Sequence, residues 1–331
     1  MTRARPILRL LAAMTAVLAV VVAAGCGSSD GGRVAAADKD TGLKTLRVAS
    51  LPIADLGAYF YALQNGLFTK HGLKVEDTSV AGGAAGIAAM AGGSVDLTYT
   101  NNVSVLLSAS QHMPITIASG ANLNQPKGKG DMASLIVAKG IRAASDLKGK
   151  TIAVNALNNI NWLYTRAWLR DHGVDPDSVK YVELDFPDQP AALLSDKVQA
   201  TLIPEPFASG LVAKGAHAIG FPYRMGPHGE TGVASFASTR QFAAKNADVL
   251  QQFRAALDDA IAAIGKPDGR KQLAAALAAH TKLPAAAAET VTLPVYTTAT
   301  SRPLLEAMER VMEQEHAFKG DAPNLDDLLQ P

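Results

Sequence analysis

From Leu46 onward the apolar positions fall alternately into short runs of strand period and longer stretches of helical period. "LRVAS" reads as extended, and in the segment after it Leu56, Phe60, Leu63 and Leu67 share one helical face, with Gly72 suited to the stop. "LKVEDTSV" alternates as a strand, "GIAAMAGG" reads as a short helix, and "SVDLTYT" as the next strand. The same order returns in the second half of the chain. There "KTIAV" is followed by a helix ending at "RDHG" with Gly173, then by the strand "VKYVEL", the helix "QPAALLSDK" and the strand "VQATLI".

Strands alternating with helices imply an α/β chain with parallel sheets covered on both faces, and two such units imply two Rossmann-like lobes. "MASLIVAK" and "GVASFAST", about Met132 to Lys139 and Gly232 to Thr239, read as segments crossing between the lobes. Two crossings make a hinge. The expected division is 45–135 with 236–331 as the first lobe and 136–235 as the second. Phe242, Val249, Leu250, Phe253, Leu257, Ile261 and Ile264 open a helical C-terminal third and belong to the core. Ligands of open α/β sheets bind beyond the carboxyl ends of the strands. The loops expected there are 50–56, 80–83 and 98–102 in the first lobe, with 155–161, 185–190 and 204–207 in the second.

The N-terminus follows another pattern. Arg3, Arg5 and Arg9 precede an apolar run from Leu10 to Ala24, too short for a spanning helix and suited to a signal peptide over 1–25. The run ends in "VAAGC", which resembles the lipobox of bacterial lipoproteins, so Cys26 is the expected lipidation site. As the single cysteine it also rules out a disulfide framework. Residues 26–44 lack an apolar period and read as a flexible tether. The expectation is an extracytoplasmic domain anchored by lipid to the outer face of a membrane.

Composition narrows the partners. The 331 residues are 48% hydrophobic and 18% charged, with a net charge of +1, which suits a packed soluble domain and offers no basic surface for nucleic acid. The seven histidines lack metal-ligand spacing. No metal or cofactor is expected, and a binding protein is favoured over an exported enzyme on the same fold.

The candidate loops contain no Lys or Arg, whereas Asp55, Asp185, Asp188 and Glu205 lie in or beside them. "VNALNNINW" places four asparagines where a strand gives way to a helix, and an asparagine amide offers both a donor and an acceptor. Asn158, Asn159 and Asn161 of one lobe, with Asn101 and Asn102 of the other, are expected to clamp a polar heterocycle. Asp55 and Glu205 are candidate ligand carboxylates, and Tyr59, Tyr99, Trp162 or Phe207 would supply an apolar face. Gly82 and Gly83 would let a ligand approach the backbone. Structural roles compete at each position: Asn101, Asn102, Asn155, Asn158 or Asp55 can cap helices, Trp162 fits the core, and Arg224 is either solvated or a reserve anion contact.

"GLFTKHGLKVE", "AAMAGGSVDLTYTN", "ASDLKGKTIAVN", "AWLRDHGVDPDSVKYVEL" and "LLSDKVQATLIPEPF" together resemble the type II substrate-binding proteins of ABC importers, across about Thr45 to Arg240. The similarity is greatest to the group serving nitrate, alkanesulfonate, taurine and thiamine-pyrimidine uptake. The resemblance implies a monomeric two-lobed receptor that hands a small-molecule solute to a membrane permease and its ATPase. Alkanesulfonate receptors tend to place Gly and Ser where "NALNNIN" stands here. That departure, with the acidic loops, favours a neutral or amine-bearing nitrogenous solute such as a pyrimidine over a sulfonate, nitrate or taurine. A ligand-sensing lipoprotein without a transporter would share the same cleft.

Overall fold

In the computed structural model, residues 33–124 and 131–329 are described. The expected leader, Cys26 and the first part of the tether lie outside them. Eleven strands run in chain order among the described residues: β1 Lys44–Ser50, β2 Leu73–Ser79, β3 Leu97–Asn101, β4 Ile115–Asn124, β5 Ala133–Val137, β6 Thr151–Val154, β7 Lys180–Glu183, β8 Ala200–Pro204, β9 His217–Gly220, β10 Thr231–Thr239 and β11 Val295–Tyr296. They form two sheets, ordered β11-β4-β10-β3-β1-β2 and β7-β6-β8-β5-β9.

The α/β architecture and the repeated β-α grammar are as the pattern predicts, but the sheets are mixed rather than parallel. In the first, β1 runs parallel to β2 and β3, while β10 is antiparallel to both β3 and β4. In the second, β6 runs parallel to β7 and β8, while β5 is antiparallel to β8 and β9. The segments read as crossings are therefore these two inserted strands. β5 belongs wholly to the second sheet and β10 wholly to the first, so each lobe gains a strand from chain that has just left the other. Their apolar runs are buried within sheets, which a connecting loop would not be. β4, which ends at Asn124, belongs to the first sheet and β5 to the second, and the chain returns to the first sheet along 221–230. Those stretches are tied to each other: the Arg224 guanidinium pairs with buried Asp131 at 2.7 Å, and Asn124 donates to the same carboxylate at 2.9 Å. Arg224 thus stays exposed, as its solvated reading anticipates, while its guanidinium is taken up by Asp131 rather than facing the cleft as an anion contact.

Helices cover the sheets as the capping signals anticipate. Gly72 and Gly173 take positive φ at helix ends. Asn101 caps the helix Asn102–Ser110 by accepting from Ser104 N, and Asn159 caps Ile160–Asp171 by accepting from Trp162 N. The helix Gly83–Ala91 lies so close on β3 that a Cβ at Gly83 or Gly86 would run into Thr100 or Thr98 Oγ1. The helix Arg302–Gln314 touches both Asn102–Ser110 and Ile160–Asp171. Just beyond it Glu315, almost fully buried, accepts from Arg166 at 3.0 Å and Arg170 at 3.1 Å. No helix among the described residues is long and apolar enough to cross a membrane.

The tether is shorter than expected. Ala35 is buried and donates its N–H to Asn246 Oδ1 at 2.7 Å; Asn246 Nδ2 donates to the Arg33 carbonyl at 2.9 Å, and Arg33 pairs with Asp96. These long-range polar bonds fix residues from Arg33 onward without any apolar period that would announce them.

Two glycine substitutions separate close packing from mere helical disorder. Gly86→Ala should lower stability by about 1–3 kcal/mol through the clash with Thr98, whereas Gly210→Ala, in an exposed helix with open space around it, should raise it by about 0.5–1 kcal/mol. Urea unfolding of both variants measures the difference.

Candidate ligand-binding site

The carboxyl ends of β1, β3, β6 and β8 face one another, and their following turns enclose a small inner chamber of about 40 Å³. The first lobe contributes Asp55, Gly83, Tyr99, Thr100 and Asn101; the second contributes Asn155, Asn159, Asn161 and Phe186. Tyr223, from the returning crossing, closes one side. The chamber continues into a wider mouth of about 400 Å³ between Gly82–Ala85 and Asn155–Asn159, with Asp185 at its rim. Lys and Arg are absent from both linings among the described residues.

Asp55 lies on the floor. Residues Ala54–Leu56 form a single 3-10 turn after β1, held from three directions. Tyr296 OH donates to the Ala54 carbonyl at 2.7 Å, Asn122 Nδ2 donates to the Asp55 carbonyl at 3.0 Å, and Ala54 N–H donates across the cleft to the Glu205 carbonyl at 3.0 Å. The Asp55 side chain is buried; its Oδ2 accepts from Tyr99 OH at 3.3 Å, and its Oδ1 has no protein partner. Burial disfavours the charged form and pushes the Asp55 carboxyl up to about 7, against the opposing pull of the Tyr99 hydroxyl. The second partnerless polar atom on the chamber wall is Thr100 Oγ1. Buried partnerless atoms occur elsewhere in the described residues too, but Asp55 and Thr100 are the two such residues that line this chamber, where a ligand's own polar atoms would bind.

The asparagines divide into three sets. Asn159 lines the chamber while capping its helix, and its Nδ2 donates to Asn155 Oδ1 at 2.6 Å. Asn161 also lines it, pegged by its Nδ2 to the Leu202 carbonyl at 2.8 Å and by its Oδ1 to the Tyr223 hydroxyl. Asn101 lines chamber and mouth as a helix cap. Asn158 stands exposed at the mouth with φ 56°, a left-handed turn position that asparagine tolerates. Asn102 does not face the cleft: it donates to the Gly232 carbonyl at 2.9 Å and accepts from Ser235 Oγ at 2.8 Å, joining its helix to β10. One residue of helical rotation separates Asn101, which faces the ligand space, from Asn102, which does not.

Three further expectations are corrected. Tyr59 sits in an aromatic core with Phe60, Phe68, Phe236 and Phe253 and donates to Asp77 at 2.8 Å. Glu205 turns its carboxylate away to accept from Ser209 N and Oγ at 3.0 and 2.7 Å; burial raises its pKa, and only its carbonyl reaches the other lobe. Phe207 lies behind the wall, stacked 6.3 Å from Phe186, which forms the wall itself. Trp162 packs against Tyr181 and beneath Arg166, as its core reading anticipates. Gly83 reaches the chamber and Gly82 the mouth. Sequence reasoning missed Tyr223, Phe186 and Thr100. Tyr223 belongs to no strand-end loop, Phe186 was passed over inside loop 185–190, and Thr100 was overshadowed by its neighbours Tyr99 and Asn101.

With the geometry in place, comparison with known proteins is informative. The NMT1/THI5-like family pattern matches residues 54–269, most of the described chain and all of the chamber lining except Leu51 and Ile53. The chain belongs to the NMT1/THI5-like family. A Brachyspira hyodysenteriae protein provisionally named an ABC transporter periplasmic binding protein is 26% identical over 186 residues, 52% of each chain. A provisionally named binding protein of Brucella abortus is 24% identical over 206 residues, 60% of each chain. The match thus spans little more than half the length of these curated relatives. Among solved structures, the alkanesulfonate-binding protein SsuA of Xanthomonas axonopodis pv. citri, bound to MOPS, superposes with a TM-score of 0.72 at 19% identity, covering 86% of this chain and 97% of its own. The nitrate-binding protein NrtA of Synechocystis PCC 6803 gives 0.65 at 12% identity, covering 74% and 69%. These likenesses establish the periplasmic-binding-protein fold.

The buried Asp55 carboxyl carries a pH signature. In the folded chain it keeps its proton up to about pH 7, while an ordinary aspartate loses it near 3.8, so the folded state binds more protons between those values. Stability from this group therefore falls as pH rises through that window, and the full penalty remains above it. Asp55→Asn should be more stable than the parent by about 2–4 kcal/mol at pH 8, with the gain shrinking toward pH 5. Urea denaturation at the two pH values measures it; a variant less stable than the parent at pH 8 would contradict the assignment.

Proposed function

We propose that the protein is the extracytoplasmic solute-binding receptor of an ABC importer, tethered to the membrane by lipid at Cys26. It captures a small polar solute between its lobes and presents it to a permease. The single observation that carries this reading is the chamber at the meeting of two strand-end loop clusters, with buried, partnerless Asp55 and Thr100 oxygens in its wall. Membership of the NMT1/THI5-like family and the names of the Brachyspira and Brucella relatives support it. Among the described residues, the cleft linings pair no nucleophile with an adjacent base, which favours binding over catalysis. The solute is a neutral or amine-bearing nitrogenous compound such as a pyrimidine. Tyr99, Tyr223 and Phe186 offer aromatic surface to a ring once the chamber opens beyond its present volume of about 40 Å³, and the asparagine amides offer both donors and acceptors.

The sulfonate and nitrate receptors among the structural neighbours motivate a second reading, an oxyanion ligand. It would have to be held without Lys or Arg and beside a buried acid, which leaves its charge uncompensated except by helix N-termini.

Solute capture works by differential affinity: only a ligand touching both lobes stabilises the closed form. A thermal-shift screen across pyrimidines, other heterocycles, amines, sulfonates and nitrate should raise the unfolding temperature with nitrogenous compounds and leave it unchanged with sulfonates and nitrate. Stabilisation by sulfonates alone would favour the oxyanion reading, and stabilisation by no small solute would count against a receptor.

A further inference from the structure

The cleft contains one feature that general polarity does not explain: a charged-type side chain where an amide would be cheaper to bury. Asp55 cannot swing to water, because its turn is bonded at the Ala54 N–H, the Ala54 carbonyl and the Asp55 carbonyl. Its Tyr99 partner is fixed in turn by Asn122 Nδ2 at 2.9 Å. The ionisable groups around Asp55 are Tyr99 on β3, Tyr223 on the returning crossing and Tyr296 on β11, with Glu205 after β8 acting from farther off, its carboxylate held by Ser209. Three are neutral phenols and the fourth is an acid, so the local potential is negative wherever either carboxyl ionises. A fixed carboxylate in a negative, poorly solvated chamber is stabilised by a cation and destabilised by an anion. A neutral ligand would be served equally well by Asn at this position, without the cost of burying an acid.

We propose that Asp55 is the specificity-determining residue of the cleft and that the solute presents to its Oδ1 a protonated nitrogen bearing N–H donors, as in an alkylammonium, an amidinium or a protonated aminoheterocycle. This rests on the receptor reading above and narrows it from polar nitrogenous solutes to cations. Binding then has a defined proton balance. Where Asp55 carries a proton in the free receptor, that proton leaves to solvent as the cation enters, and the ion pair replaces the O–H bond. Protonation of Asp55 at low pH competes with the solute.

Isothermal titration calorimetry on the folded chain at pH 6, 7 and 8 tests the proposal with benzamidinium, 4-aminopyridinium and methylammonium as cationic probes. Benzamide and pyrimidine serve as neutral probes, ethanesulfonate and nitrate as anionic ones. At least one cation should bind at pH 8 at least tenfold more tightly than any neutral or anionic probe. Its affinity should then fall toward about tenfold per pH unit below pH 7. Asp55→Asn should remove the preference for the cation while keeping a cooperative unfolding transition. The pH profile of the unmodified protein stands as evidence even if that variant does not fold. A neutral or anionic probe binding most tightly, or cation affinity that is flat or rises on acidification, would overturn the role of Asp55 and leave the receptor reading intact. Binding of no probe of any charge would overturn both.

Discussion

A carboxyl group that cannot reach water sets the terms for everything around it. Asp55 is buried at the junction of two sheets, with one oxygen on Tyr99 and the other facing a chamber. A buried acid in this position either holds its proton or meets a partner of opposite charge. The turn that carries it is pinned by Tyr296, by Asn122 and by the carbonyl of Glu205 from the opposite lobe. One of these contacts, the Ala54 N–H to Glu205 carbonyl bond, also joins the two halves of the cleft, so the floor of the site takes part in the contact between lobes.

The fold supplies the rest by topology. Each sheet has parallel strands whose carboxyl ends point at the other sheet, and each receives an antiparallel strand, β10 or β5, from chain that has just come from the opposite lobe. The exchange brings the crossings together, where Arg224, Asp131 and Asn124 bind them. It also leaves the cleft to be closed by loops rather than by core. Away from the cleft the helix Arg302–Gln314 rests on both lobes, and buried Glu315 holds Arg166 and Arg170. Opening is therefore expected at the mouth between Gly82 and Asn155.

Much of this was legible in the sequence because local rules determine it. Strand and helix periods located the β-α units, Gly72 and Gly173 marked left-handed helix stops, and the strand-end loops led to Asp55, Tyr99, Asn101, Asn159 and Asn161. What escaped depends on contacts distant in sequence. "MASLIVAK" and "GVASFAST" are extended by their own composition, but nothing local states which sheet receives them or in which direction. Asn101 and Asn102 are chemically identical neighbours, and only the docking of their helix on β10 sends one to the cleft and the other to Ser235. Glu205 looked poised between two prolines, yet Ser209, one helical turn on, captures its carboxylate. Tyr223 reaches the chamber from a hinge segment that no strand-end rule would select.

The central claim is that two lobes close over a solute held on the Asp55 floor. The direct measurement is a distance distribution between spin labels placed across the mouth, at Ala84→Cys on the first lobe and Leu157→Cys on the second, in a chain carrying Cys26→Ser. Both positions are exposed and line the mouth. With a solute that binds by calorimetry, the distribution should narrow to a single shorter distance than in the solute-free protein. An unchanged distribution at saturating solute would contradict the account, because a ligand that leaves the lobes where they were is not held between them.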